Sequence, residues 1–307
     1  MGFRRLCMLC LLFAAALVPP ARAAETGKIV VASKIDTEGA LLGNLAIVLL
    51  QDHGYAIENR IEIGTTKIVR QALLSGQVDL YPEYTGNGAY FFHMESDPVW
   101  TDAKAGYETV RKLDAERNDL IWLTPAPVNN SWAIAISSAF SEANHLTSLE
   151  DFARYVNSGG RVKLAASAEF VESVSGLPSF LRTYGFDLKQ SQLLVLAGGD
   201  TSATIRAAAE GISGVNAAMA YSTDGAIATL KMVVLDDPKG AQTVYAPCLV
   251  IRGAVLREHP DLEAILDPPF AALTIDTLRQ LSARISVDGE EAAVVAQSYL
   301  KQGGFLK

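Results

Sequence analysis

Short apolar runs of strand length alternate with segments of helical periodicity along most of the chain, and the alternation restarts once, near residue 131. Residues 28–33 read as a strand, and 37–51 follow with apolar residues at helical spacing, stopped by Gly54. Residues 60–63 form a second strand; Thr65 or Thr66 caps a helix through Ser75, closed by Gly76. Residues 78–81 are a third strand that Pro82 is expected to break. A charged amphipathic helix at 102–117 precedes a strand at 120–123. After the restart, 131–137, 162–166, 193–197, 217–221, 232–235 and 248–252 read as strands. Ser148-Leu149-Glu150-Asp151 has the form of a capping box, opening a helix that ends near Gly159. Residues 261–266, 274–283 and 288–302 are helical. This order predicts an α/β fold with mostly parallel sheets. The 307 residues exceed one ordinary domain and suit two lobes, with no internal repeat, heptad run or low-complexity linker. In such lobes a ligand sits at strand carboxyl ends, where loops and helix N-termini face a crevice.

The N-terminus carries a compartment signal. Arg4 and Arg5 precede an apolar run at 6–18, too short to span a bilayer. Pro19 and Pro20 end it, and Ala21-Arg22-Ala23 reads as a cleavage site, so 1–23 are expected to be a signal peptide that directs export to the periplasm. The alternative is a buried N-terminal helix. Cys7 and Cys10 lie in the apolar run, and neither has the setting of a lipoprotein cysteine. Cleavage would remove Arg4, Arg5 and Arg22 and no acid, taking the net charge from −8 to −11. Such an acidic chain is a poor match for nucleic acid or an anionic membrane surface. Only Cys248 would remain, which excludes an intramolecular disulfide and a cysteine metal cluster.

Catalytic patterns are missing. The four histidines, His53, His93, His145 and His259, have no metal or nucleophile–base spacing, and neither GxSxG nor GxxxxGK[ST] occurs. Gly198-Gly199-Asp200-Thr201 could cradle an anion at a helix N-terminus, or be a tight turn with a cap. Glu290-Glu291 sits on a solvated helix. The chain is therefore expected to be no enzyme and to need no cofactor or metal.

The segment Tyr81-Pro82-Glu83-Tyr84-Thr85-Gly86-Asn87-Gly88 places an acid, aromatic rings and a Gly-rich turn at a strand's end. It stands in order with Ala32-Ser33-Lys34-Ile35-Asp36-Thr37-Glu38-Gly39, Asn129-Asn130-Ser131-Trp132 and Ala220-Tyr221-Ser222-Thr223-Asp224-Gly225. In these motifs the chain resembles the osmoprotectant-binding proteins of ABC importers, the OsmF-like branch in particular. Ile121-Trp122-Leu123-Thr124-Pro125-Ala126-Pro127, 164–170 and 196–201 extend the resemblance over essentially the whole mature chain.

The resemblance implies a two-lobed periplasmic binding protein fold of type II, with two strand crossings and a ligand cleft between lobes. Lobe I would combine 24–129 with 244–307, and lobe II would span 130–243. It further implies a monomeric receptor that closes on glycine betaine, choline or a similar quaternary ammonium solute and docks on a permease; an amino acid or another small zwitterion is the alternative ligand. A trimethylammonium head has no N–H to donate, so aromatic faces hold it, at about 0.5–2 kcal/mol per contact. By motif position these are Tyr84, Trp132, Tyr221 and Tyr245, with Asn130 offering a backbone carbonyl and Lys34 and Asn87 meeting the ligand's carboxylate or hydroxyl. Trp100 and Trp122 fall outside the site motifs and read as packing residues. Two positions depart from the family pattern. Ser173 stands where wider relatives carry an Arg that clamps a carboxylate, a bond worth roughly 1.5–3 kcal/mol, and Gly39 stands where choline-binding relatives carry Gln.

Overall fold

The computed structural model describes residues 27–196 and 201–307. The signal-peptide reading, Cys7 and Cys10, and Gly198-Gly199-Asp200 of the candidate anion loop lie outside those residues. Ten strands are described: β1 Ile29–Lys34, β2 Ile57–Gly64, β3 Leu80–Tyr84, β4 Leu120–Trp122, β5 Trp132–Ser137, β6 Leu164–Ser167, β7 Leu193–Leu196, β8 Ala217–Tyr221, β9 Met232–Val234 and β10 Pro247–Arg252. They form two five-stranded sheets in the orders β2-β1-β3-β10-β4 and β7-β6-β8-β5-β9. Inner strands such as β1 and β3 are buried along nearly their whole length, as expected where helices cover both faces of a sheet. At the edge, β2 instead mixes exposed Asn59, Arg60 and Glu62 with half-buried Ile57 and Ile61.

Each sheet has its own core. Leu41, Leu45, Leu80, Trp122, Leu249 and Phe270 belong to the first, which joins both ends of the described chain. The second sheet is covered on one side by Phe152, Phe170 and Phe180 and on the other by Ile205, Ala218 and Ile227. This is the two-lobed α/β architecture expected. Trp100 and Trp122 are fully buried in the first core, their indole N–H groups donating to Met94 O and Asp114 Oδ2 at 2.8 and 2.6 Å. The Ser148–Asp151 capping box forms as predicted, opening the helix Leu149–Asn157.

Two expectations need correction. The sheets are mixed rather than mostly parallel: β10 runs antiparallel to β3 and β4, and β5 antiparallel to β8 and β9. Both odd strands are the first that the chain forms after passing from one sheet to the other. Each therefore enters its sheet from the end where the parallel strands leave, and must run against them. The second correction is Pro82, which does not break β3. It lies within the strand opposite Leu249, while β1 registers with β3 only through Val31 and Leu80. Proline is tolerated there because the ladder on the β1 side has already ended.

The two passages between lobes lie side by side. Asn130 N donates to Tyr245 O at 2.9 Å, and Tyr245 N donates to Asn129 Oδ1 at 2.8 Å. The lobes also touch away from these passages. Arg279 Nε, on the helix Ile275–Ser286 of the first lobe, donates to Ser222 O of the second at 2.8 Å. Next to it, Gly225 packs against the backbone of Ala283 so closely that a Cβ on Gly225 would lie 2.3 Å from Ala283 N.

Candidate functional site

Between the lobes lies a cavity of about 510 Å³, within the size range of small-molecule sites. Seven of the eight residues expected at the ligand line it: Lys34, Tyr84, Asn87, Asn130, Trp132, Tyr221 and Tyr245. They come together because the loops at strand ends converge there. Lys34 ends β1, Tyr84 ends β3 and Tyr221 ends β8, while Trp132 opens the antiparallel β5 from the same side. Trp132 and Tyr221 face each other in the β5–β8 register, which puts their rings on one side of the sheet, 6.5 Å apart and inclined by 20°. Phe170 meets the Trp132 ring edge-on at 5.6 Å and fixes its tilt. Ser173 is not brought to the cavity. It is half-buried, its Oγ bonded to Ser175 Oγ at 2.9 Å, and Glu169, one helical turn earlier, takes the place at the wall.

The polar residues of the cavity also bond to two buried acids. Lys34 and Asn87 both donate to Glu83 Oε1, Asn87 Nδ2 from 2.6 Å. Glu83 has no solvent exposure and also accepts from Tyr81 OH and Tyr84 N, each at 2.7 Å. A buried carboxylate requires such partners, so Lys34 and Asn87 each give a donor to Glu83 while both line the cavity. The Lys34 ammonium lies 4.5 Å from the centre of the Tyr84 ring and covers part of one of its faces.

Glu38, within the Ala32–Gly39 motif and without a role predicted from it, is the second buried acid. It sits in the first turn of the helix Thr37–Asp52, behind Asp36, whose Oδ1 caps the helix by accepting from Gly39 N at 2.7 Å. Glu38 Oε1 accepts from Tyr84 OH at 2.9 Å and from Asn130 Nδ2 at 3.1 Å, and Thr223 of the second lobe also bonds to the carboxylate. Burial pushes its pKa up to about 7 against the pull of those hydrogen bonds, with the charges of Asp36 and Asp224 adding to the rise. Burial likewise raises the Tyr221 hydroxyl to about 12 and lifts Tyr84 and Tyr245, so the rings face the cavity as neutral phenols.

A model of the substrate-binding domain of the ABC-type glycine betaine transport system matches residues 27–302. The chain belongs to that family. Among curated proteins, the glycine betaine-binding protein YehZ of Escherichia coli strain K12 is 55% identical over 297 residues, covering 97% of either chain. A glycine-betaine-binding protein of Pseudomonas aeruginosa is 28% identical over 310 residues, 99% of this chain and 95% of that one. The solved structure of apo YehZ superimposes with a TM-score of 0.82 at 56% identity, covering 91% of this chain and 99% of that one. Membership of this transport family agrees with the absence of catalytic motifs in the sequence, and the apo YehZ likeness with the two-lobed binding-protein architecture described above.

Proposed function

We propose that the protein is the exported, periplasmic receptor of an ABC importer, and that it captures a quaternary ammonium solute such as glycine betaine or choline between its lobes. The reading is carried by one observation: the rings of Tyr84, Trp132, Tyr221 and Tyr245, drawn from both lobes and from both passages between them, line a single cavity. Neutral aromatic faces attract a methylated ammonium that ordinary acceptors cannot grip, and several together give useful affinity. The relatives named for glycine betaine support the solute class.

The lobes would be residues 24–129 with 244–307, and 130–243. The crossings at Asn129–Asn130 and Tyr245, bonded to each other, serve as the hinge. The mature chain begins after Ala23, acts as a monomer and, once closed, presents both lobes to permease subunits. A thermal melt with glycine betaine, choline, carnitine, ectoine and proline tests the ligand class, because a ligand that binds the folded state raises the midpoint. A shift with methylated ammonium compounds is expected. A shift with proline alone would transfer the role to an amino acid receptor.

A further inference from the structure

We infer that Glu38 sets the charge preference of this cavity, favouring a cationic quaternary ammonium that carries a hydroxyl, an amino alcohol of the choline type, over one that carries a carboxylate. The inference rests on the reading of the cavity as a quaternary ammonium site, and refines it.

The charges on the wall point one way. Among the described lining residues the acids are Asp36, Glu38, Glu169 and Asp224, and the only base is Lys34. Lys34 is already paired with Glu83. At the helix end beside the cavity the Asp36 carboxylate takes the Gly39 N–H and places a further negative charge there. Hydroxyls of Thr and Ser line the wall but carry no charge. A carboxylate would thus enter a wall with four acids and one base, that base already facing Glu83, whereas a net positive ligand would be drawn in.

Asn130 adds a hydrogen-bonding argument. Asn130 gives its Nδ2 to Glu38, which fixes the orientation of the amide, and leaves Oδ1 buried with no partner. Glycine betaine has no proton to offer such an acceptor, while an amino alcohol has one. Two other buried wall atoms among the described residues have no partner: Ser282 Oγ, which can donate or accept and does not discriminate, and Trp132 Nε1, a donor that would suit an acceptor on either ligand.

Glu38 joins these features. Its carboxylate holds the Tyr84 hydroxyl and the Asn130 amide at once. Around it stand Asp36 on its own helix, Lys34 at the end of β1, Glu83 and Tyr84 on β3, and Asp224 on the loop after β8. Its carboxyl changes charge near pH 7. Below that pH it is neutral and the cavity loses one negative charge; above it the full field is present. A cation gains from the ionised form, and betaine, which carries both signs, gains less.

The experiment is calorimetric titration of the mature protein with choline chloride and with glycine betaine, at pH 5.5 and 8.5 and constant ionic strength. Wild type and Glu38→Gln are compared. The choline-to-betaine affinity ratio is expected to rise about tenfold between the two pH values in wild type, the order of one buried charge interaction, and to stay flat in Glu38→Gln. Choline binding near pH 7 should also release protons, seen as a binding heat that depends on the buffer's ionisation enthalpy. That measurement needs only wild type and stands if the variant folds poorly. A ratio unchanged by pH, with no proton release, overturns the role of Glu38 while leaving the site intact. Binding of neither solute at either pH overturns the site reading and this inference with it.

Discussion

Gly225→Ala should weaken solute binding without weakening either lobe. Gly225 opens the short helix Gly225–Thr229 of the second lobe and faces the helix Ile275–Ser286 of the first. A Cβ there would lie 2.3 Å from Ala283 N, 2.5 Å from Ala283 Cα and 2.7 Å from Ser282 C, all backbone atoms that no side-chain rotation can move. Ordinary contact would require the two helices to separate by about 1 Å, and interiors resist such displacement. Overpacking of this kind costs about 1–3 kcal/mol. The clash lies where the lobes meet; with that contact taken as one made on closure, the cost falls on the closed form and converts to a roughly 5- to 150-fold loss of affinity. Within its own lobe the change is mildly favourable, since Ala suits a helix better than Gly by up to about 1 kcal/mol. The signature is therefore split: the ligand-free melting midpoint holds or rises, titration calorimetry shows weaker binding, and X-ray scattering shows less compaction at saturating solute. If the variant bound and compacted like wild type, the contact between Gly225 and Ala283 would not belong to the closed state, and the argument would fail.

Three further outcomes follow from the same geometry. Asp114→Ala leaves the buried Arg70 guanidinium without the two bonds, 2.8 and 2.5 Å, that now hold it, and also orphans the Trp122 indole; urea unfolding should show a loss of about 3–5 kcal/mol, while affinity measured on the surviving folded protein changes little. Trp132→Ala or Tyr221→Ala removes one ring of the stacked pair and should weaken solute binding roughly 2- to 30-fold by calorimetry, with Trp100→Phe as a variant that leaves binding unchanged. Between pH 4.5 and about 7 the folded chain keeps a proton on Glu38 that the unfolded chain has released, so this group's contribution to stability declines as pH rises through that window, by about 3 kcal/mol in all; Glu38→Gln should remove this slope from denaturant melts taken at a series of pH values.

The element order was legible in the sequence because it rests on local signals. Ala217–Tyr221 is a strand to the residue as read, and the Ser148 capping box opens its helix where expected. What was not legible is set by pairing over long distances. Nothing near residue 250 says that β10 will insert between β3 and β4 and run against both. Pro82 looked like a breaker because a local rule assumes a ladder on each side, and here the pairing with β1 ends before it.

The site divides along the same line. Aromatic rings were found by motif because a ring serves a cation wherever it can present a face, which needs only its placement at a strand end. The acids of the same motifs were passed over because the role of a carboxylate depends on what surrounds it. Glu83 lies next to Tyr84 in the sequence, yet it is buried in a knot of donors that includes Lys34 and Asn87. Glu38 lies two residues from Asp36 and titrates near neutrality because its burial among segments distant in sequence outweighs the hydrogen bonds from Thr223 and Tyr84, which pull the other way. Selectivity among quaternary ammonium solutes therefore has to come from those enclosures, since the methylated head is common to all of them and the rings cannot tell one from another.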